Sequence, residues 1–262
     1  MKYRLTKENI KLNNGKVLFR IEALKDFDFV KISDKGGFIE KEKNLSQDGN
    51  CWIYDNAKVF NDAQIIDNAK VYGNAQVYEC AKVSDNAEVY DNAKVFYVAQ
   101  ISGYAKIFGN AQINKYAKVS GNSEICDNAR ISGEARIYGN ALIANDATIS
   151  GNAQIFDDAG IIGNAWISDH AEVYDNAIVY DYAEVYDNAK ISGNAKVFGN
   201  AKVFGNAEIF IDNVSGNTKI AGNKNSYNSY RESDNYTTAF DIINMPGESY
   251  DSNDGWDGMK RP

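Results

Sequence analysis

The chain has 262 residues, a formal net charge of −8 and a sequence pI of about 4.8. No basic patch or arm is present, which argues against nucleic acid as a partner. Its three scattered cysteines make neither a disulfide framework nor a zinc site. No apolar run approaches the ~20 residues of a membrane span, and no signal-peptide core is visible, so the sequence predicts a cytoplasmic protein without membrane contact.

Residues 1–50 are predicted to form a β-rich cap. Asn13-Asn14-Gly15 separates two strand-like runs, which predicts a β-hairpin with both turn residues at positive φ. Lys35-Gly36-Gly37-Phe38 is predicted to be a turn that leads into the next region. Covering the open end of a repeat structure is the main interpretation of this segment, and a substrate-binding module is the alternative.

Residues 51–210 repeat one hexapeptide. An aliphatic residue recurs at every sixth position from Ile53 to Ile209. From Ala57 to Ala207 the residue two positions before it is alanine, except at Ser123. Such a short fixed period predicts a β-helix. The alanine and the aliphatic residue point inward because side chains alternate along a strand. Gly, Asp and Asn after each aliphatic residue predict tight corners.

This pattern resembles the hexapeptide-repeat, left-handed parallel β-helix family, the trimeric LpxA-like superfamily. The resemblance implies an all-β fold in which three hexads form one triangular coil of 18 residues. Ile53 to Ile209 then give 27 strands in nine coils, a prism about 43 Å long. The predicted divisions are an N-terminal β-hairpin cap at 1–50, the β-helix at 51–220, and a polar tail at 221–262 that is partly disordered or packed back on the helix.

Residues 18 apart are expected to stack, so three faces can be distinguished. We name them by the strands through Val71 (first face), Val77 (second face) and Val83 (third face). Aromatic residues fall into ladders on these faces, one of which is Tyr54, Tyr72, Tyr90 and Phe108. Stabilisation of the sheets is the main interpretation of the ladders, and binding of glycans or other planar ligands is the alternative.

The first face becomes apolar in coils six to eight. Six residues there are predicted to point outward: Leu142, Ala144, Gly160, Ile162, Ile178 and Tyr180. A contiguous apolar patch marks an interface, and the family resemblance implies a homotrimer packed along one face. We therefore expect this apolar patch to be a self-association surface or the docking site of the C-terminal tail.

One corner differs from the other two, which carry Asn in nearly every coil. This variable corner reads Asp62, Cys80, Val98, Tyr116, Glu134, Asn152, His170, Asn188 and Asn206. Departures from Asn reduce turn propensity. One interpretation is neutral sequence drift at a surface corner that tolerates substitution. The other is a ligand or subunit groove along this edge, with Tyr116, Glu134, Trp166 and Asp169 as candidate residues.

His170 is the single histidine. Acyl-CoA-dependent acyltransferases of the family commonly use a histidine as general base, so the resemblance makes His170 the candidate catalytic residue and an acyl-CoA such as acetyl-CoA the cofactor. Unlike catalytic members, the coils carry no inserted loop, and no helical pattern follows them. No metal-spaced cluster is present, so no metal site is predicted.

Residues 35–59, KGGFIEKEKNLSQDGNCWIYDNAKV, are similar to the start of the YdcK-type transferases, with their GG-aromatic turn and GNCW-hydrophobic-Y segment. Three functions are therefore compared. The uninterrupted coils favour a rigid scaffold or binding module. The resemblance implies acyl transfer, such as transfer of an acetyl group to a hydroxyl or amine. A surface or phage-associated fibre module is the third, and no trimerising stalk supports it.

Overall fold

The computed structural model describes residues 1–222, 229–231 and 237–238. It begins with three longer strands, β1 (Tyr3–Lys11), β2 (Val17–Ala23) and β3 (Lys35–Ile39), and a 3-10 helix at Glu42–Asn44. Short strands follow to the end of the described residues. The predicted tail spans residues 221–262, and from residue 223 onward only the strands at 229–231 and 237–238 belong to the described residues.

The short strands, in chain order, are β4 (Trp52–Ile53), β5 (Lys58–Val59), β6 (Gln64–Ile65), β7 (Lys70–Val71), β8 (Gln76–Val77), β9 (Lys82–Val83), β10 (Glu88–Val89), β11 (Lys94–Val95), β12 (Gln100–Ile101), β13 (Lys106–Ile107), β14 (Gln112–Ile113), β15 (Lys118–Val119), β16 (Glu124–Ile125), β17 (Arg130–Ile131), β18 (Arg136–Ile137), β19 (Leu142–Ile143), β20 (Thr148–Ile149), β21 (Gln154–Ile155), β22 (Gly160–Ile161), β23 (Trp166–Ile167), β24 (Glu172–Val173), β25 (Ile178–Val179), β26 (Glu184–Val185), β27 (Lys190–Ile191), β28 (Lys196–Val197), β29 (Lys202–Gly205), β30 (Glu208–Ile209), β31 (Asn213–Val214), β32 (Lys219–Gly222), β33 (Ser229–Arg231) and β34 (Thr237–Thr238).

These strands stack into three sheets, one for each face. Each coil strand pairs in parallel with the strands one coil before and after it, as β10 does with β7 and β13. The first face is a 10-stranded sheet, the second a 15-stranded sheet and the third a 9-stranded sheet. The described chain is therefore the all-β parallel β-helix that the hexapeptide predicted.

The core is a column of small and branched side chains. The inward alanines and the valines or isoleucines two positions later are nearly all fully buried and form one continuous cluster. Ser123, which replaces an alanine, is also buried, and its hydroxyl donates a hydrogen bond to the Ser120 carbonyl at 2.7 Å. The exception is tolerated because its buried polar group is satisfied.

The helix has about ten turns, whereas nine coils were predicted. It starts earlier, because Phe38 and Ile39 already pair with Lys58 and Val59 of β5. After Ile209, and within the predicted range of 51–220, β31 and the first residues of β32 continue the first and second faces. Val214 pairs with Val197, 17 residues before it, so one residue is missing from this last turn. The early start was missed because residues 38 and 39 precede the regular hexads.

The N-terminal hairpin is confirmed, but its turn differs from the prediction. β1 and β2 pair antiparallel, and of the predicted turn residues only Gly15 has a positive φ, 86°. Gly36 and Gly37, predicted to form a turn, lie inside β3. A Cβ at Gly36 would come within 2.5 Å of the Ile53 carbonyl oxygen, so these glycines allow close packing against the first coil.

A buried lysine fastens the cap to the first coil. Lys2 is 1% exposed, and its Nζ donates to the carbonyl oxygens of Cys51 (2.9 Å), Asp48 (3.3 Å) and Gly49 (3.3 Å). It also lies 3.3 Å from Cys51 Sγ. Burial lowers the pKa of Lys2 and raises that of the Cys51 thiol. The cap therefore sits against the helix through specific polar contacts as well as apolar ones.

Candidate functional site

The regular corners are held by hydrogen bonds between successive coils. Asp91 Oδ2 accepts a hydrogen bond from the backbone N–H of Gly109, 18 residues later, at 3.2 Å. Asparagine side chains form a second ladder, in which Asn122 donates to Asn140 at 3.0 Å and Asn140 donates to Asp158 at 2.8 Å. Asp and Asn at these corners therefore have a structural role.

The variable corner departs from these residue types in several consecutive coils, although Glu79 still accepts a hydrogen bond from the backbone N–H of Tyr97 at 2.7 Å. Glu79, Tyr97 and Lys115 occupy its left-handed position, with φ values of 59°, 58° and 58°. From residue 55 to 205 the equivalent position is otherwise Gly, Asp or Asn. Other side chains are disfavoured there by roughly 1 kcal/mol or more. At the next position, Asn is replaced in the four coils from Cys80 to Glu134, so the amide ladder is also lost there.

A shallow groove of about 290 Å³ lies along the same stretch of the variable corner. We call it the corner furrow. Its six lining residues are Val98, Gln100, Tyr116, Lys118, Glu134 and Arg136. Three come from the corner itself and three from the adjacent outward positions of the third face, and all six are exposed.

The furrow brings together two of the predicted edge residues. Tyr116 and Glu134 lie on one wall, on successive coils. Gln100, Lys118 and Arg136, on the other wall, were missed by sequence reasoning. Sorting the outward third-face positions with a period of 18 would have placed them beside the variable corner.

His170 lies in the same column but two coils beyond Glu134, and it does not line the furrow. Its ring is exposed, and Nε2 lies 3.4 Å from the Asn152 amide nitrogen. Among the described residues, no carboxylate forms a hydrogen bond or ion pair with the ring. The imidazole can therefore reach an external group, but no acidic side chain orients it.

The other two predicted edge residues lie beside His170. Asp169 is in the left-handed corner conformation, and its Oδ2 accepts hydrogen bonds from Ser168 Oγ at 3.1 Å and from the Asp187 backbone N–H at 3.3 Å. It therefore performs the ordinary corner role. Trp166 lies on β23 of the second face and is 45% exposed, so its indole is accessible to a partner molecule.

The apolar patch is narrower than its six residues suggested. Leu142, Ile162 and Ile178 are half-buried, whereas Ala144 is 2% exposed and Gly160 is buried. Tyr180 stacks on Phe198 with ring centroids 4.8 Å apart. Three aliphatic side chains and the outer surface of Tyr180 thus form the accessible apolar surface.

Within residues 1–222, 229–231 and 237–238, no group of three His, Cys, Asp or Glu side chains is placed to hold a metal ion. In the same residues no helix is long and apolar enough to span a membrane.

The stacked hexads define the class of protein, a parallel β-helix of hexapeptide repeats. A family model described as YdcK β-solenoid repeat matches residues 135–152, which is one coil. The chain is also 44% identical over 61 residues to a protein of Escherichia coli (strain K12) named "Uncharacterized acetyltransferase YdcK". That match covers 23% of this chain and 17% of the relative. The matched segments of this chain are therefore similar to YdcK-type repeats.

A solved structure, the UDP-N-acetylglucosamine acyltransferase from Campylobacter jejuni, is also similar. It shares 16% sequence identity with this chain, and the TM-score is 0.33. The alignment covers 76% of this chain and 73% of that one.

Proposed function

We propose that the protein is a rigid binding module whose ligand lies in the corner furrow. The observation that carries this proposal is a coincidence in position. The coils that give up favourable corner residues at Tyr97 and Lys115 are the coils that line the furrow. Strained backbone accumulates at functional sites, where it is retained for a purpose other than stability.

The β-helix supplies the rigidity that such a module needs. Each lining residue is attached to a backbone that is hydrogen-bonded to coils on both sides, as Lys118 of β15 is between β12 and β18. The inward side of the same strands belongs to the continuous core. The backbone positions of the furrow residues are therefore fixed before a ligand binds, which reduces the entropic cost of binding.

Ligand-observed NMR tests the binding function without assuming a ligand class. Mixtures of saccharides, nucleotides and short peptides are compared between the wild type and the double variant Tyr116→Asn/Glu134→Asn. The matched control is Tyr182→Asn, because Tyr182 is 63% exposed at the corresponding position of a regular corner. We expect at least one compound to bind the wild type and the control but not the double variant. If no compound distinguishes the double variant, the proposal is wrong.

Acyl transfer from an acyl-CoA is the second candidate function, and the name of the YdcK relative favours it. In this reaction the His170 imidazole takes the proton from an acceptor hydroxyl or amine while the acceptor oxygen or nitrogen attacks the thioester carbonyl. The CoA thiolate then leaves and accepts a proton. The exposed ring and the neighbouring accessible Trp166 are compatible with an external acceptor.

Calorimetry with acetyl-CoA separates the two functions. Acyl transfer requires that the wild type bind acetyl-CoA and release CoA in the presence of an acceptor, and that His170→Ala lose turnover while keeping binding. Absence of acetyl-CoA binding by the wild type would exclude this second candidate and leave the binding module unaffected.

We also propose that the chain forms a homo-oligomer, a trimer by family resemblance, through the apolar patch of the first face. Charged ladders flank the patch, as Lys106 and Glu124 do at 3.3 Å, and they end where Leu142 begins. The double variant Ile162→Asp/Ile178→Asp should reduce the mass in solution to that of a monomer. Lys196→Asp, on the same face beyond the patch, should leave it unchanged. An unaltered mass for the double variant would contradict this assignment.

A cytoplasmic location is proposed from the cysteines. Cys51, Cys80 and Cys126 are all free thiols, and Cys80 is exposed. Free exposed thiols persist in reducing compartments. Fractionation of cells that produce the full-length protein tests the location, and recovery outside the cytoplasm would contradict it.

A further inference from the structure

Two cations of the corner furrow stand side by side. Lys118 and Arg136 are direct partners on the adjacent strands β15 and β18, and neither forms an ion pair with any described residue. Like charges that face each other across strands repel. The Glu172–Lys190 pair, by contrast, holds opposite charges at 3.2 Å. Lys202 and Lys219 also face each other, but Glu184 lies 2.8 Å from Lys202 and neutralises it. An anion placed between Lys118 and Arg136 relieves this repulsion.

Tyr116 presents a free aromatic face beside these cations. Its side chain is 61% exposed, and it stacks on no other ring in the described part of the chain. In the ladders, by contrast, Tyr90 is covered on both faces, by Tyr72 at 4.6 Å and by Phe108 at 4.9 Å. A ring in the middle of a ladder therefore offers only its edge to a ligand, whereas no ring of the described residues covers either face of Tyr116.

The shape of the furrow suits a section of a longer chain. Its residues come from three successive coils, so it runs along the helix axis for about 10 Å. The residues between its two walls, Ala99, Ala117 and Ala135, point into the core, so main chain forms the floor. Small-molecule sites bury most of their ligand. This furrow is open and leaves a ligand free to continue beyond it.

We infer that the corner furrow binds acidic oligosaccharides, sugar chains that carry carboxylate groups; this inference rests on the proposed binding function. Arg136 and Lys118 hold a carboxylate, with Arg136 able to donate two parallel hydrogen bonds. The apolar face of a sugar ring packs on Tyr116 and Val98. Glu134 accepts hydrogen bonds from sugar hydroxyls, and the Gln100 amide can donate or accept them.

Titration calorimetry with trigalacturonate tests the inference, with maltotriose as the neutral probe and adenosine 5′-monophosphate as the anionic probe that lacks a sugar chain. The measurements are made at 0.15 M salt, where a Debye length of about 8 Å screens the overall negative charge of the protein. The variants are Arg136→Gln and Tyr116→Asn. Their matched controls are Arg130→Gln, an exposed arginine at the same repeat position on the second face, and Tyr182→Asn.

We expect trigalacturonate to bind the wild type and maltotriose to bind at least about tenfold more weakly. Arg136→Gln and Tyr116→Asn should each weaken trigalacturonate binding about tenfold, and both controls should stay within about twofold. Equal binding of maltotriose, or equal losses with Arg130→Gln, would overturn the inference. Binding of the nucleotide without trigalacturonate would overturn the inference but keep the furrow as a binding site. If neither these probes nor the compound mixtures bind at the furrow, both proposals fail.

Discussion

Lys115→Asp is predicted to stabilise the protein. Lys115 holds a φ of 58° at the variable corner, and its exposed side chain has no ion-pair partner among the described residues. Aspartate tolerates the left-handed conformation better than lysine does. The regular corners show what else aspartate does, since Asp85 Oδ2 accepts from the Gly103 backbone N–H at 2.9 Å. The corresponding N–H here belongs to Gly133, one coil further on.

Two contributions set the size of the effect. Relief of the backbone conformation contributes about 0.5 kcal/mol, and the added hydrogen bond about 1 kcal/mol. The free energy of unfolding should therefore rise by about 1.5 kcal/mol. For a protein of this size that corresponds to about 4 °C in Tm. Lys115 does not line the furrow, so the substitution leaves the six lining residues of the furrow unchanged.

Guanidinium denaturation followed by far-UV circular dichroism measures the change. Asp91→Lys is the reverse substitution at the same repeat position, where φ is 56° and the carboxylate accepts from Gly109 at 3.2 Å. It should cost about 1.5 kcal/mol for the same two reasons. If Asp91→Lys is costly and Lys115→Asp is neutral or destabilising, the variable corner is not strained, and the argument from strain to function is refuted.

Three further predictions concern stability. Tyr90→Ala should lower the free energy of unfolding by about 3 kcal/mol, because it removes the middle ring of a stacked ladder. Tyr116→Ala should change the free energy of unfolding by less than about 0.5 kcal/mol. Equal losses for the two variants in denaturant titrations would contradict the distinction between ladder rings and the furrow ring. Lys2→Met should lower the free energy of unfolding by about 2 kcal/mol, because it leaves carbonyl groups such as that of Cys51 without their donor. Limited proteolysis should then cut the N-terminal cap first. A cap that stays intact would contradict the role of Lys2 in holding the cap to the first coil. Burial, with Asp127 next in effect, raises the pKa of Cys126 from 9.0 to about 12. The folded chain thus holds the thiol proton more tightly than the unfolded chain does. The contribution of this proton to the free energy of unfolding is complete below pH 9 and is lost between pH 9 and 12. Cys126→Ala should therefore reduce the fall in the free energy of unfolding that is measured between pH 8 and 11.

The parts that sequence reasoning located well are those that depend on local alternation. Ala57 and Val59 differ by two positions, so both point inward on any strand, and the six-residue spacing repeats this in every hexad. The identity of the variable corner was also readable, because sorting by 18 separates Tyr116 and Glu134 from the asparagines of the other corners. These inferences require only the period of a strand and the length of one coil.

Features that depend on which groups meet in space were less accessible. Lys70 faces Glu88 on the next coil, but its Nζ pairs with Asp28 of the cap at 3.0 Å. Glu88 accepts a hydrogen bond from the Tyr72 hydroxyl at 2.9 Å. Ala144 was placed on an exposed patch and is buried. Each outcome depends on the reach of a neighbouring side chain, which the repeat period does not specify.

By itself the sequence determined the β-helix and its inward positions, and the family resemblance supplied the coil of three hexads from which the three faces and the departing corner were read. The sequence could do so because a strict six-residue period allows one assignment of inward and outward positions. Tertiary structure alone decided that Lys118 and Arg136 lie across a furrow from Tyr116, that the ladder rings cover each other's faces, and that His170 lies outside the furrow. Those relations join different walls and different coils, where side-chain direction and packing select the contacts.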